Sequence, residues 1–154
     1  MKRRAALIVL SAGLAGCASV FGGKDEAAAD FDKETSATEA RIKEDKVHSI
    51  LGRLEASIAD YYKVEKHIPE KLSQLVPKYL AEIPSLDLPV CGHETEKVQI
   101  YPSDVLRDGR VDGSRLKGTG RWGYVFNDRQ VIVFVDCLKP TSRGVPWYQE
   151  RGVY

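Results

Sequence analysis

The sequence has no apolar run of the roughly 20 residues that a membrane-spanning helix needs; the longest, about 14 residues, sits at the extreme N-terminus. Basic runs are equally scarce. With 23 Lys and Arg against 22 Asp and Glu the formal net charge is +1, and without Lys2-Arg3-Arg4 the balance is 20 basic against 22 acidic residues. A chain so close to neutral, with no other basic cluster, has no electrostatic footprint for nucleic acid. There are three histidines, His48, His67 and His93. No Gly-x-Ser-x-Gly, His-Glu-x-x-His or phosphate-cradling glycine loop is present, so no residue is assigned a catalytic role and no enzyme is expected. His48 reads as a partly covered surface residue and His67 as a cation at a helix end. At 154 residues there is room for one domain with a modest core.

What is present begins with a basic n-region, Lys2-Arg3-Arg4, a short apolar stretch from Ala5 to Ala12, and the small residues Leu14-Ala15-Gly16 before Cys17. Leu14-Ala15-Gly16-Cys17 resembles the lipobox of bacterial lipoproteins. The resemblance implies a signal peptide over 1–16, cleavage before Cys17, and a diacylglycerol on its thiol. An ordinary secretory signal or an uncleaved anchor is the rival reading, and the shortness of the apolar run argues against the anchor. More than one acyl chain, at about 0.8 kcal/mol per buried methylene, would hold the protein to a membrane stably. Ala18 after the cysteine implies sorting to the outer membrane, facing the periplasm or the cell surface.

With Cys17 assigned to lipid, Cys91 and Cys137 remain. Two cysteines in an oxidising compartment are read as a disulfide, whose closed loop would contribute on the order of 4 kcal/mol. The alternative is a metal set of Cys91, His93 and Cys137, which lacks a fourth ligand.

Residues 17–45 are rich in Ala, Gly, Ser, Thr and charge, and cannot bury enough surface to fold alone. They are expected to form a tether, helical only in its last part. Val47, Ile50, Leu51, Leu54, Ile58 and Tyr61 or Tyr62 then recur at spacings of three and four, predicting a helix from near Ala40 or Asp45 to about Glu65 with one apolar stripe. Ile68-Pro69 stops it, and Leu72, Leu75 and Val76 supply a short amphipathic turn. Val98 and Ile100 form a first strand, Asp104 to Gly120 a surface loop, Trp122 to Phe126 a strand with an aromatic face, and Val131 to Val135 its hairpin partner across Asn127-Asp128-Arg129-Gln130. Trp147 and Tyr148 in the tail are expected to pack back on the sheet. The fold class is therefore α+β, a long helix packed against a small antiparallel sheet, with the domain over 46–154.

Tyr61-Tyr62 ahead of His67-Ile68-Pro69, then Leu72, Leu75, Tyr79-Leu80, Ile83-Pro84 and Trp122-Gly123-Tyr124, resemble the globular part of type IV pilin-like proteins, and within them the major pseudopilins of type II secretion. The similarity covers about Val47 to Glu150. It implies a sheet packed on a helix and a role among secretion or pilus components. Pilin-like subunits begin with a long apolar helix that forms the filament core; here a lipobox and a polar stretch replace it, so polymerisation in that manner is not expected.

Asp104, Asp108 and Asp112, with Gly109 and Gly113, place hard oxygen ligands on a glycine-bent loop, and some major pseudopilins carry calcium in such a loop. The spacing of four does not match an EF-hand, Arg107, Arg110 and Arg115 would offset the charge, and Asp128 or Asp136 would be needed to complete a site. Solvated loop charges are the competing reading. Beyond calcium no cofactor is expected. Two functions are carried forward: a lipid-anchored, non-enzymatic domain acting through protein contacts in the envelope, and a ligand-binding lipoprotein taking a small molecule or polysaccharide. The second requires a concave, partly exposed aromatic cluster around Trp122 or Trp147.

Overall fold

The computed structural model describes residues 23–152; the expected signal peptide over 1–16, the expected lipidation site Cys17, and Ala18 lie outside them. The chain divides into two compact units, Met1–Ser36 and Ala37–Tyr154. In the first, residues 23–36 are helical. In the second, the rest of one long helix, α1 (Gly23–Glu65), is followed by β1 (Val98–Tyr101), β2 (Leu106–Arg107), β3 (Arg110–Val111), β4 (Trp122–Phe126) and β5 (Val131–Val135). Short 3-10 turns stand at Leu72–Leu75, Ser103–Val105, Gly113–Arg115 and Trp147–Gln149. Among the described residues no helix is long and apolar enough to cross a membrane.

The helix starts well before the expected Ala40, since Ala, Glu and Lys dominate 24–45 and favour helix even where the residues face water. The stripe is as the periodicity predicts: Val47, Ile50, Leu51, Leu54, Ile58 and Tyr61 are all buried, while Ser49, Arg53, Asp60 and Lys63 are exposed. Full burial of such side chains stabilises by about 1.5–3 kcal/mol each. At the C-terminal end Lys66 turns into the left-handed region (φ 62°) while its amide still donates to the Tyr62 carbonyl, and the chain leaves the helix toward Pro69.

The sheet corrects the antiparallel expectation. Its order is β1-β4-β5; β4 and β5 pair antiparallel as a hairpin, but β1 runs parallel to β4, with Val98 opposite Trp122 and Tyr101 opposite Val125. Parallel neighbours need a connection of a dozen or more residues, and 102–121 provides one. That segment also folds on itself, because β2 and β3 form a separate antiparallel pair.

Two cores result, one on each face of the sheet. Trp122, Tyr124, Val133 and Val135 join the α1 stripe, Leu72, Leu75, Leu80, Leu86, Leu88 and Trp147. Val125 and Phe134 point the other way and meet Tyr101, Val105 and Val111. The Phe134 ring lies over Gly123, where an added Cβ would come within 2.4 Å of it. The tail crosses α1 at a second tight place: a Cβ on Gly152 would lie 2.2 Å from the backbone of Gly52. Glycine in mid-helix costs about 1 kcal/mol relative to alanine, and here it permits the crossing.

Candidate functional site

Cys91 and Cys137 are bonded to each other, with a sulfur-to-sulfur distance of 2.08 Å, and His93 is exposed. The two cysteines are therefore taken up by one another, and the disulfide reading holds over the metal set. Gly120 packs against this bridge so closely that a Cβ there would sit 2.4 Å from the Cys91 carbonyl oxygen.

The three loop aspartates have separate local roles. Asp104 pairs with Arg115 at 2.8 Å. Asp112 caps the 3-10 turn that follows it, accepting from the Ser114 hydroxyl at 2.7 Å and the Ser114 amide at 3.0 Å, and these bonds hold its carboxyl below the usual value. Arg107 lies 3.8 Å from it. Asp108 and Gly109, with φ of 52° and 74°, form the two-residue turn between β2 and β3, the backbone for which an Asp-Gly pair is suited. Asp128 lies in the β4–β5 connection and is exposed. Among the described residues, no group of three or more His, Cys, Asp or Glu side chains is placed to hold a metal ion.

Asp136 is a polar centre that no sequence motif marks. It is fully buried (0 %) and accepts from the Tyr101 hydroxyl at 2.8 Å, the Gly118 amide at 3.1 Å, the Thr119 amide at 3.0 Å and the Thr119 hydroxyl. Burial, with the Asp136 bond acting in the same direction, pushes the Tyr101 phenol up to about 12. A buried carboxylate needs such donors to offset its desolvation, and in accepting them Asp136 fastens the end of the 102–121 connection to the sheet.

A second polar cluster joins α1 to the tail. His48, read from sequence as a partly covered surface residue, is in fact only 6 % exposed and stacks on Trp147 with ring centres 5.2 Å apart. Its Nε2 lies 3.1 Å from Glu150 Oε2 and 3.1 Å from an Arg143 guanidinium nitrogen. That nitrogen also donates to Glu150 Oε2 at 3.0 Å. One turn earlier on α1, Glu44 accepts from the amide and hydroxyl of Ser142. Between these groups opens a cleft of about 490 Å³ lined by Arg41, Glu44, Asp45, His48, Ser142 and Arg143. His67 is exposed at the end of α1, with Nδ1 3.2 Å from the Ile68 carbonyl and its ring edge-on to Tyr61.

The aromatic side chains of Trp122, Tyr124 and Trp147 belong to the core. Trp122, Tyr124 and Trp147 are all 0 % exposed. Trp122 Nε1 donates to the Pro84 carbonyl at 2.7 Å and the Tyr124 hydroxyl to the Pro69 carbonyl at 2.5 Å. Large apolar side chains that do face solvent include Tyr62 and Val64 at the end of α1, Val90 and Leu138 beside the disulfide cysteines, and Ile100 on β1.

Comparison with known protein families, with curated proteins and with solved structures finds no match to this chain.

Proposed function

We propose that this chain is a non-enzymatic lipoprotein of the bacterial envelope, anchored through Cys17, whose α+β domain is a pilin-like head acting through protein contacts in a secretion or pilus-related system. The observation that carries this reading is the convergence of the residues behind the family resemblance. Leu72, Leu75 and Leu80 pack on the α1 stripe with Trp122 and Tyr124, and the two aromatic residues hydrogen-bond to the carbonyls of Pro84 and Pro69. These residues build one joint between helix, connection and sheet, which gives their spacing in the sequence a structural reason.

Burial of Trp122 and Trp147 also favours contact over ligand capture, because the partly exposed aromatic cluster that the ligand-binding reading requires is taken up in the core. The exposed pair Tyr62 and Val64 offers apolar area at the end of the helix where a protein could bind.

Two measurements test the proposal. Cys17→Ser should move the protein from the membrane fraction to the soluble fraction; full retention on membranes would overturn the anchor. Photo-crosslinking from position 62 or 64 in intact cells should yield discrete adducts with a secretion or pilus component. No adduct at either position, combined with saturable binding of a glycan or small molecule by the purified domain, would overturn the contact reading in favour of ligand binding.

A further inference from the structure

An imidazole nitrogen has one site: unprotonated it accepts a hydrogen bond, protonated it donates one. His48 Nε2 has a donor, the Arg143 guanidinium, and an acceptor, Glu150 Oε2, each at 3.1 Å. It cannot serve both at once. We infer that His48 Nε2 is a proton-operated latch that exchanges Arg143 for Glu150.

With the ring neutral and its proton on Nδ1, Nε2 accepts from Arg143. The same guanidinium nitrogen donates to Glu150 at 3.0 Å, so one arginine bridges helix and tail. When solvent delivers a proton to Nε2, the new N–H donates to Glu150 and the ring becomes a cation 3.1 Å from another cation. His48 and Glu150 have side chains only 7 % and 10 % exposed and remain in place, while Arg143, 62 % exposed, is the member free to leave. Losing its bond to the ring, it turns toward the cleft that it already lines, whose other charged groups are Arg41, Glu44 and Asp45 of α1. The charges facing His48 are thus Arg41, Glu44 and Asp45 from the helix, Arg143 from the 141–144 loop and Glu150 from the tail. Ser142 stays tied to Glu44 through its amide and hydroxyl, so the exchange frees a side chain without undoing the loop. Protonation of the ring therefore loosens the hold on an exposed arginine at this face.

The test is nitrogen NMR of the His48 ring in the folded protein. At about pH 8 the neutral ring should be the Nδ1–H tautomer, which is the minor form of a free imidazole, and the Arg143 Nε–H signal should shift with the same midpoint as the ring. Arg143→Gln, a change at an exposed side chain, removes a neighbouring cation and should raise the proton affinity of His48 by about threefold or more. An Nε2–H tautomer at high pH, or a midpoint unchanged in Arg143→Gln, would overturn the latch. The tautomer is read in the unaltered protein, so this outcome does not depend on how any variant folds.

Discussion

The hydroxyl of Tyr124 on β4 donates to the carbonyl of Pro69, 55 residues earlier in the chain, across the buried interface between sheet and connection. Trp122, two residues back on the same strand face, does the same to Pro84. Pro69 and Pro84 have no amide hydrogen to contribute, and their carbonyls are held by the only polar atoms these two aromatic side chains possess. Tyr124→Phe keeps the ring and leaves the buried Pro69 carbonyl without this donor. It should cost about 1–2 kcal/mol in urea unfolding, with the melting temperature falling by a few degrees and no change in secondary structure by circular dichroism.

The disulfide spans 46 positions of sequence. The double variant Cys91→Ser/Cys137→Ser should lose about 4 kcal/mol, read as a lower urea midpoint, and thiol labelling of the unreduced, denatured original should find neither Cys91 nor Cys137 free. Equal stability of the two forms would mean that the closed loop does not constrain the unfolded chain.

Asp136→Asn retains the shape of the side chain while removing its charge and half of its accepting capacity. With the Tyr101 hydroxyl, two amides and the Thr119 hydroxyl competing for one carbonyl oxygen, stability should fall by about 2–3 kcal/mol. Amide hydrogen exchange at Gly118 and Thr119 should accelerate more than exchange within β4 and β5, which locates the damage in the connection.

Gly152→Ala would drive a methyl group into the Gly52 backbone, where a Cβ has 2.2 Å of room. The tail should lift from the helix at a cost of about 1–3 kcal/mol, seen as raised exchange in residues 147–152 and a higher fluorescence yield or shifted emission from Trp147. Gly52→Ala should produce the same signature from the opposite partner.

How much of this was legible in the sequence differs from element to element. The α1 stripe could be read because helical periodicity is local: Val47, Leu51, Leu54 and Ile58 reveal a face without reference to any other part of the chain. The strands at 98–101, 122–126 and 131–135 were marked by their β-branched and aromatic residues, and the β4–β5 hairpin by its short connection. The direction of β1 was not legible, since it depends on where a 20-residue connection returns rather than on anything inside Val98–Tyr101. The β2–β3 turn does carry a local signal, Asp108-Gly109, but the same residue types also suit an oxygen-ligand loop. His48 and Glu150 stand 102 residues apart, and no local pattern pairs them. Asp136 escaped for the same reason: its donors arrive from Tyr101 and from Gly118-Thr119, two ends of one connection.

The parallel placement of β1 beside β4 obliges the backbone to travel the length of the sheet and come back before the last hairpin begins. Hydrogen bonds to the sheet pin the two ends of that return path, through strand pairing at Tyr101 and through the Asp136 carboxylate at Gly118-Thr119. Between those ends Val105 and Val111 are committed to the second core, so the exposed Asp108-Gly109 tip of the β2–β3 finger is where evolution can lengthen, shorten or rewrite the chain without disturbing strand register. Relatives, when aligned, should differ most in size between Arg107 and Arg110 while keeping an acid at the position of Asp136.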